Sequence, residues 1–342
     1  MVNVGIVGAT GYAGEELIDI LLRHPQVRIT NVSATAKRGK PVKISDILPR
    51  FKGRIDLICA EFDFAEIIKN CDLVFLALPH TVSMAIAPKL LKAGKKVIDL
   101  SADYRLKNTK IYEKFYNIRH KDKINLGFAV YGLPEIYRLK IKNAKLIANP
   151  GCYSTVSILA LAPLAAFDLV DAGEVIIDAK SGVTGAGKKL VDGLLFPEVN
   201  EDFKAYKVNT HQHTPEIEQE LTKLAGKKIK ITFVPHLLPL NRGILVTIYA
   251  KKAQSEKRKA QSLISLYQKF YKKEPFVRIR DEGDFPGLKD VVKTNFCDIG
   301  IKENKDSIII IAVIDNLLKG ASGQAVQNMN IMYKFPEYTA LL

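Results

Sequence analysis

The 342-residue sequence has no tryptophan, only four cysteines, and fewer acidic residues than basic ones. The cysteines are widely spaced and form no Cys-x-x-Cys pair, so they offer neither a disulfide framework nor a zinc-finger pattern. We expect reduced thiols and no metal site. No run approaches the roughly eighteen consecutive apolar residues of a membrane-spanning helix. The first residues also lack the charged-then-apolar pattern of a secretory signal, so we expect a cytoplasmic protein without a membrane partner.

The excess of 51 Lys and Arg over 36 Asp and Glu gives a formal net charge of +15. Such an excess can indicate nucleic-acid binding. Here the basic residues are spread over 107–123, 138–145, 223–230 and 251–259, without a clear set of stacking aromatics between them. We interpret most of this charge as a solvated surface and the rest as an attraction for anionic ligands, so we expect no nucleic-acid partner.

Hydrophobic residues make up 47% of the sequence, enough for a substantial core, and the length favours two domains. Strand-like and helical stretches alternate in the first half, whereas β-rich segments joined by long loops dominate the second. The pattern predicts an α/β fold with a Rossmann-type dinucleotide-binding domain in residues 1–150 and 318–342. It also predicts a second, α+β domain with a mixed or antiparallel sheet in residues 151–317. We expect the Lys-rich stretch 107–143 to be irregular.

A glycine-rich turn follows the first predicted strand and opens a predicted helix. Its Gly8-x-x-Gly11-x-x-Gly14 spacing lets the backbone approach a pyrophosphate, which the helix N-terminus then stabilises. The alternative is a tight turn without a ligand. The residues predicted to bind the cofactor here are Gly8, Thr10, Gly11, Tyr12, Ala13 and Gly14.

The end of the second predicted strand indicates which dinucleotide would bind. No acidic residue follows this strand to bind a ribose hydroxyl. The loop instead supplies hydroxyls and cations that suit a 2′-phosphate, from Ser33, Thr35, Lys37 and Arg38. The loop therefore predicts NADP(H), although surface basic residues without a ligand would look the same. Three further positions complete the predicted cofactor set, namely Pro79, His80 and Asn316.

Two predicted strands in the first half end in polar loops. Carboxyl ends of parallel strands face the ligand crevice, so Pro79-His80 and the loop 101–105 are placed to contact cofactor or substrate. Ser101 and Arg105 are candidate substrate-binding residues, because the forked donors of arginine suit an anionic group. A surface ion pair is the alternative for Arg105.

The run Asn149-Pro150-Gly151-Cys152 joins a predicted strand to an apolar helix that we expect to end at Pro163. This places Cys152 in the first helical turn, where unpaired N–H groups and the helix dipole favour a nucleophilic thiolate. Gly151 leaves room for a substrate carbonyl, and Asn149 is a further substrate-binding candidate. A buried structural cysteine is the alternative.

Three loops of the second half carry the remaining candidates. Ser181 and Gly182 begin a loop of amides, hydroxyls and cations that could cradle an anion. His211 and His213 precede a helix, and either could serve Cys152 as acid and base, unless both are structural. Arg242 binds either substrate or a neighbouring carboxylate.

Several of these motifs together resemble the N-acetyl-γ-glutamyl-phosphate reductases of arginine biosynthesis. The resemblance runs nearly end to end and is carried by residues 8–14, 101–105, 131–135, 149–153, 181–187, 211–213 and 315–317. Its most specific part is the cysteine motif, although Ser154 stands where the family more often has proline.

The resemblance implies a mechanism. Cys152 would attack an acyl phosphate, expel phosphate and form a thioester, which hydride from NADPH reduces to the semialdehyde. Arg105 would hold the phosphate, and His213 or His211 would move protons. The protein would be a homodimer or homotetramer, and its α+β domain in residues 151–317 would be the catalytic and dimerisation domain. A related reductase acting on a substrate linked to an acidic carrier protein, and a non-catalytic NADP-sensing protein, are the alternatives.

Overall fold

The computed structural model describes residues 1–34, 41–253 and 262–342. The described chain forms two compact units, Met1–Pro150 with Ala321–Leu342, and Gly151–Gly320. Three of the predicted cofactor-binding residues, Thr35, Lys37 and Arg38, lie outside the described residues.

The first unit is built around a sheet whose central strands are almost fully buried. In chain order its strands are β1 (Val2–Val7), β2 (Val27–Ala34), β3 (Val42–Lys43), β4 (Ile58–Glu61), β5 (Leu73–Leu76), β6 (Lys96–Asp99), β7 (Val130–Tyr131) and β8 (Leu146–Ala148). In the described residues they lie in the order β3-β4-β2-β1-β5-β6-β8-β7, and every neighbouring pair is parallel except β3 with β4. The carboxyl ends of the parallel strands therefore meet at one edge, where such sheets bind ligands.

Helices connect these strands. They are α1 (Tyr12–Leu21), α2 (Ile44–Ile47), α3 (Phe64–Asn70), α4 (Ser83–Lys92), α5 (Thr109–Tyr116), α6 (Lys123–Phe128) and α7 (Pro134–Ile141). The prediction that residues 107–143 are irregular is wrong, since α5 to α7 lie there. Side-chain caps start two of them: Asn108 accepts the N–H groups of Lys110 and Ile111, and Asp122 accepts that of Asn125. In helices this short, such caps matter more than apolar periodicity.

The second unit contains a mixed sheet, as predicted. Its strands are β9 (Val170–Gly182), β10 (Lys204–Ala205), β11 (Ile231–Leu238), β12 (Ile244–Lys252), β13 (Val277–Ile279), β14 (Cys297–Glu303) and β15 (Ser307–Ile314). Within the described ranges their order is β10-β11-β9-β12-β15-β14-β13, with parallel pairs at β11/β9 and β13/β14 and antiparallel pairs elsewhere. Residues of β12 alternate between buried and more exposed positions, which is typical of a sheet with one covered face.

Helix α8 (Cys152–Ala166) packs against this sheet and is buried over most of its length. The prediction that it ends at Pro163 is wrong, because the helix continues through the proline. Proline has no N–H for the carbonyl four residues earlier. That carbonyl, Leu159 O, accepts the hydroxyl of Tyr271 instead, and the hydroxyl of Tyr267 donates to Ala160 O. Remote hydroxyls thus satisfy the backbone that the proline leaves open.

The remaining helices are α9 (Phe196–Val199), α10 (Thr214–Ala225) and α11 (Leu263–Phe270) in the second unit and α12 (Gly323–Met332) in the first. A π-helical turn, Leu318–Ser322, precedes α12. Among the described residues, no helix combines the length and the apolar character needed to cross a bilayer.

Candidate active site

The predicted dinucleotide turn has the tight geometry that its glycines require. Gly8 has a φ of +91°, and a Cβ there would lie 2.2 Å from Ala77 O. A Cβ on Gly14 would lie 2.3 Å from Gly8 O, so strand and helix touch through bare backbone. Both N–H groups of Gly8 and Ala9 donate to Ser33 O. The N-terminus of α1 is thereby held at the carboxyl end of β1, and the turn fits a bound pyrophosphate.

The other predicted residues of the turn surround this helix start. Gly11 is the N-cap of α1, and Thr10, Tyr12 and Ala13 are partly exposed beside it. Their exposure leaves them accessible to a ligand at the helix start.

A cavity of about 690 Å³ lies at the carboxyl ends of β2 and β4. Ser33 contributes to its wall, whereas Glu61, Asp63 and Glu66 make the opposite side acidic. Its volume falls within the usual 300–1,000 Å³ range of small-molecule sites. The cavity lies beside the dinucleotide turn because β2 and β1 are neighbouring strands.

The loops after β5 and β6 are joined by side-chain contacts. His80 Nδ1 accepts the N–H of Ala102 at 3.1 Å, while Pro79 lies one residue earlier in the same loop. Ser101 donates its hydroxyl to Asp99 at 2.8 Å and its N–H to the same carboxyl at 3.0 Å. The structure thus brings Pro79, His80 and Ser101 together at one edge of the sheet.

Two carboxyl groups lie fully buried beneath these loops. Burial, and then the charge of Asp103, raise the pKa of Asp99 to about 7. Asp103 accepts the hydroxyl of Tyr112 at 2.8 Å, and burial followed by the Asp103 charge raises the pKa of that tyrosine well above its ordinary value. Tyr112 therefore remains a hydrogen-bond donor at physiological pH.

Arg105 and Asn149 are held by the first unit itself. The Arg105 guanidinium is buried and donates to Asn149 O and Leu100 O, each at 2.7 Å. The Asn149 amide donates to Ala321 O at 3.0 Å and accepts Asn328 Nδ2 at 3.1 Å. Substrate contacts by Arg105 and Asn149 stay predictions, since both side chains bind the surrounding chain.

Cys152 is the first residue of α8, as the sequence predicts, and it is partly exposed, whereas Cys59, Cys71 and Cys297 are buried. The N-cap residue Gly151 donates its N–H to the buried carboxylate of Glu216 at 2.9 Å. The N–H groups of a first helical turn have no acceptors within their helix, so this end of α8 suits negative charge on sulfur or on a substrate oxygen.

The two histidines occupy different environments. A Cβ on Gly151 would lie 2.3 Å from His213 Nε2, so the His213 ring packs directly on the residue before Cys152. His211 is 8% exposed, and its Nδ1 accepts the N–H of His213 at 3.1 Å. Aromatic rings of Tyr153, Tyr206 and Phe233 lie within 5.7 Å of the His211 ring, centre to centre. His213 is therefore the histidine nearer to the nucleophile's backbone.

Two tyrosines complete this cluster. Tyr206 donates its hydroxyl to the Tyr153 hydroxyl at 3.2 Å, and Tyr153 donates to His236 O at 3.2 Å. Burial raises the pKa of Tyr206 to about 12, so the hydroxyl stays protonated near neutral pH. The two tyrosine hydroxyls therefore add no negative charge to the cluster around Cys152.

The other predicted residues of the second unit are held by contacts within that unit. Arg242 makes a two-pronged ion pair with buried Asp315, at 2.9 and 3.0 Å. Asn316 accepts the N–H of Gly243 and donates to the Thr184 hydroxyl. Of the two outcomes predicted for Arg242, the structure contains the carboxylate contact. A cofactor contact by Asn316 stays a prediction.

Ser181 and Gly182 end β9 rather than begin a free loop. Ser181 donates its hydroxyl to Gly182 O at 2.9 Å, and Gly182 donates its N–H to Gly243 O at 2.9 Å. A role of these two residues in anion binding stays a prediction. In the part of the chain that the structure describes, no three His, Cys, Asp or Glu side chains are grouped to hold a metal ion.

The sequence did not reveal the functions of three acidic residues. Glu216 lies in the first turn of α10, and its carboxylate accepts the N–H of Gly151, the residue before Cys152. Asp99 and Asp103 lie in or beside the loop 101–105 without a predicted role. Their position at a strand end was the available signal in the sequence, but Thr81 and Met84, which donate to Asp103, belong to a different loop.

Two family models match the chain. The semialdehyde dehydrogenase NAD binding domain matches residues 3–144, and the semialdehyde dehydrogenase dimerisation domain matches residues 152–316. The chain therefore belongs to the semialdehyde dehydrogenase family. Aspartate semialdehyde dehydrogenase II of Vibrio cholerae has the same fold, with a TM-score of 0.72 at 19% identity over 98% of both chains. The Candida albicans aspartate semialdehyde dehydrogenase with NADP gives 0.70 at 17% identity, over 97% of this chain and 98% of that chain.

Curated relatives define the group within this family. N-acetyl-gamma-glutamyl-phosphate reductase of Pelotomaculum thermopropionicum is 48% identical over 342 residues, covering 99% of this chain and 97% of the relative. The reductase of Acetivibrio thermocellus is 48% identical over 343 residues, covering 100% and 98%. The chain thus belongs to the N-acetyl-γ-glutamyl-phosphate reductases, which confirms the resemblance found in the sequence.

Proposed function

We propose that this protein reduces N-acetyl-γ-glutamyl phosphate to N-acetylglutamate 5-semialdehyde, with release of phosphate and oxidation of NADPH. The observation that carries the proposal is the position of Cys152, partly exposed at the start of a buried helix, with the His213 ring on the preceding glycine. Relatives 48% identical over the whole chain bear the name of this reductase.

Cys152 is the proposed nucleophile. Its sulfur attacks the acyl carbon, the bond from that carbon to the phosphate oxygen breaks, and phosphate leaves as the thioester forms. The start of α8 favours both the thiolate and the oxygen charge that develops during attack. Sulfur also suits the reduction that follows, because a thioester accepts hydride more readily than an ester does.

His213 is the proposed acid and base. Support comes from its ring lying on Gly151, within reach of groups bound beside Cys152. His211 is the weaker candidate, because its Nδ1 accepts a backbone N–H and aromatic rings surround it. We propose that His211 orients His213 and that Glu216 fixes Gly151.

The proposed cofactor is NADP(H), held at its pyrophosphate by the turn that contains Gly8, Gly11 and Gly14. The bare backbone at Gly8 and Gly14 supports this assignment. When bound, NADPH supplies the hydride. The preference for the 2′-phosphate rests on the sequence of residues 33–38, where hydroxyls and cations replace the acid typical of NAD sites.

We also propose a cytoplasmic homodimer that associates through the second unit. The dimerisation domain model covers this unit. Ile176 on β9 pairs with Tyr249 on β12, and each of these side chains is 45% exposed. Tyr249 also pairs with Ile309 on β15. An exposed apolar row of this kind is typical of a protein interface. A further association into tetramers stays a prediction.

The activity is tested by the reverse reaction, in which N-acetylglutamate semialdehyde and phosphate reduce NADP⁺. We expect turnover by the wild type and none by Cys152→Ser, with unchanged NADPH binding in both. The matched control is Cys297→Ser, a buried cysteine remote in sequence from the site, which should retain turnover.

Two results would contradict the proposal. Turnover only of a carrier-linked acyl phosphate would identify a carrier-dependent reductase, which the net charge of +15 would suit. NADPH binding without turnover of any acyl phosphate or semialdehyde would indicate an NADP-sensing protein.

A further inference from the structure

Asp103 is a buried carboxyl group that contacts only neutral donors. It is 0% exposed and accepts the N–H of Thr81 at 2.6 Å, the N–H of Met84 at 2.9 Å and the hydroxyl of Tyr112 at 2.8 Å. Within the described ranges, no lysine or arginine forms an ion pair with it. Burying a carboxyl group without a cation is unfavourable, so its presence calls for a role beyond packing.

The contacts of Asp103 join two loops at the ligand-binding edge of the sheet. Thr81 and Met84 follow β5, whereas Asp103 itself follows the neighbouring strand β6. Thr81 has a φ of +75°, a conformation that β-branched residues rarely adopt. The carboxylate of Asp103 therefore holds Thr81 in a backbone conformation that the residue would not choose alone.

Further contacts fix the backbone of Asp103. Its N–H donates to the Ser101 hydroxyl at 3.1 Å, and its carbonyl lies 2.6 Å from His120 Nε2. Because His120 Nδ1 accepts the N–H of Asp122 at 3.2 Å, Nε2 carries the proton and donates it to that carbonyl. The loop after β6 is thus held from two sides.

Arg105 connects the loop after β6 to the residues that precede Cys152. It lies two residues after Asp103, and its Nε donates to Asn149 O at 2.7 Å. Asn149 stands three residues before Cys152 in the sequence. The backbone entering the nucleophile's helix is therefore anchored to a loop whose conformation depends on Asp103.

We infer that Asp103 is a positioning residue of the reaction: it fixes the loops after β5 and β6 and, through Arg105, the backbone that leads into Cys152. This inference rests on the proposed function for its kinetic consequences. It assigns Asp103 no contact with the reacting atoms.

The test compares Asp103→Asn with Tyr112→Phe. Asn keeps the size of the side chain but presents an NH₂ group to one of the N–H donors, whereas Tyr112→Phe removes one of the three donors and leaves both loop contacts. For Asp103→Asn we expect kcat to fall between about 10-fold and 100-fold, the range of a small misplacement near the chemistry. For Tyr112→Phe we expect less than about 5-fold. The Kd of NADPH is measured for both variants, because the loop that Asp103 holds after β5 also contains Pro79 and His80, which are predicted to bind the cofactor.

A second readout does not require turnover. The rate of alkylation of Cys152 by iodoacetamide, followed by peptide mass spectrometry, should change at least about threefold in Asp103→Asn and stay near the wild-type value in Tyr112→Phe. Both variants are measured well below their thermal transitions, with far-UV circular dichroism to verify folding. If Asp103→Asn does not fold, Asp103→Ser, which removes the carboxylate that accepts the N–H groups of Thr81 and Met84, takes its place in both readouts.

The outcomes separate this inference from the proposed function. Lower thermal stability of Asp103→Asn with wild-type kcat and wild-type alkylation of Cys152 would show a merely structural role and overturn the inference. If the wild type turns over no acyl phosphate, the proposed function fails, and the alkylation rates alone decide the role of Asp103.

Discussion

Asp99→Asn is expected to stabilise the protein, and to do so only above a certain pH. Asp99 ends β6 and is 0% exposed, and burial together with the charge of Asp103 raises its pKa to about 7. Its oxygens accept the N–H and the hydroxyl of Ser101. Asparagine retains an oxygen for the N–H of Ser101 and cannot ionise, so it resembles the protonated acid.

The magnitude follows from the two pKa values of Asp99. In the folded protein the pKa is about 7, and in the unfolded chain it is near the ordinary aspartate value of 3.8. The difference of roughly 3 units corresponds to at most about 4 kcal/mol, at 1.36 kcal/mol per unit. Because the folded state holds the Asp99 proton more tightly, the contribution of Asp99 to the free energy of unfolding is greatest below pH 4, falls between pH 4 and 7, and stays low above pH 7.

Urea unfolding at pH 5 and pH 8, followed by circular dichroism, measures this effect. At pH 8 we expect Asp99→Asn to raise the free energy of unfolding by about 1–4 kcal/mol, and at pH 5 by clearly less. Asp56→Asn is the matched control, since the Asp56 side chain is 82% exposed. A gain from Asp99→Asn that is equal at both pH values, or a loss at pH 8, would refute the reasoning.

Four further outcomes are expected. In steady-state assays of NADPH oxidation, His213→Asn should lower kcat about 10²-fold to 10⁴-fold, and His211→Asn should lower kcat clearly less. A larger loss of kcat in His211→Asn would identify His211, and not His213, as the acid and base. Gly151→Ala should lower kcat about 10²-fold, because the new Cβ would displace the His213 ring, and a kcat within twofold of wild type would exclude that contact. Arg38→Ala should narrow the preference for NADPH over NADH about 10-fold to 100-fold in binding titrations, and an unchanged ratio would mean that another group binds the 2′-phosphate. Tyr249→Glu should lower the molar mass measured by light scattering to that of one chain, whereas an unchanged mass would place the interface elsewhere.

The parts of the fold that sequence could predict are those governed by neighbours along the chain. The glycine turn before α1 and the placement of Cys152 at a helix start both follow from local turn chemistry. The end of α8 could not be predicted in this way. Pro163 normally ends a helix, but the hydroxyl of Tyr271, 112 residues from Leu159, binds the carbonyl that proline leaves open.

The same distinction applies to the candidate site. His211 and His213 looked equivalent in the sequence, and only their ring contacts distinguish them. The sequence also gave no sign that Glu216 binds the N–H of Gly151, 65 residues away. Such partners are determined by tertiary packing, which no local pattern encodes.

The first unit is formed by two separate segments of the chain, and this has a consequence for synthesis on the ribosome. This unit combines residues 1–150 with 321–342, and the amide of Asn149 finds its partner Asn328 179 residues further on. Domains of growing polypeptides generally fold from the N-terminus onward. Here the first unit can be completed only after residues 321–342 have been translated. A nascent chain stalled before residue 321 would contain all of α8. It would still lack Asn328, whose side chain binds Asn149 shortly before Cys152.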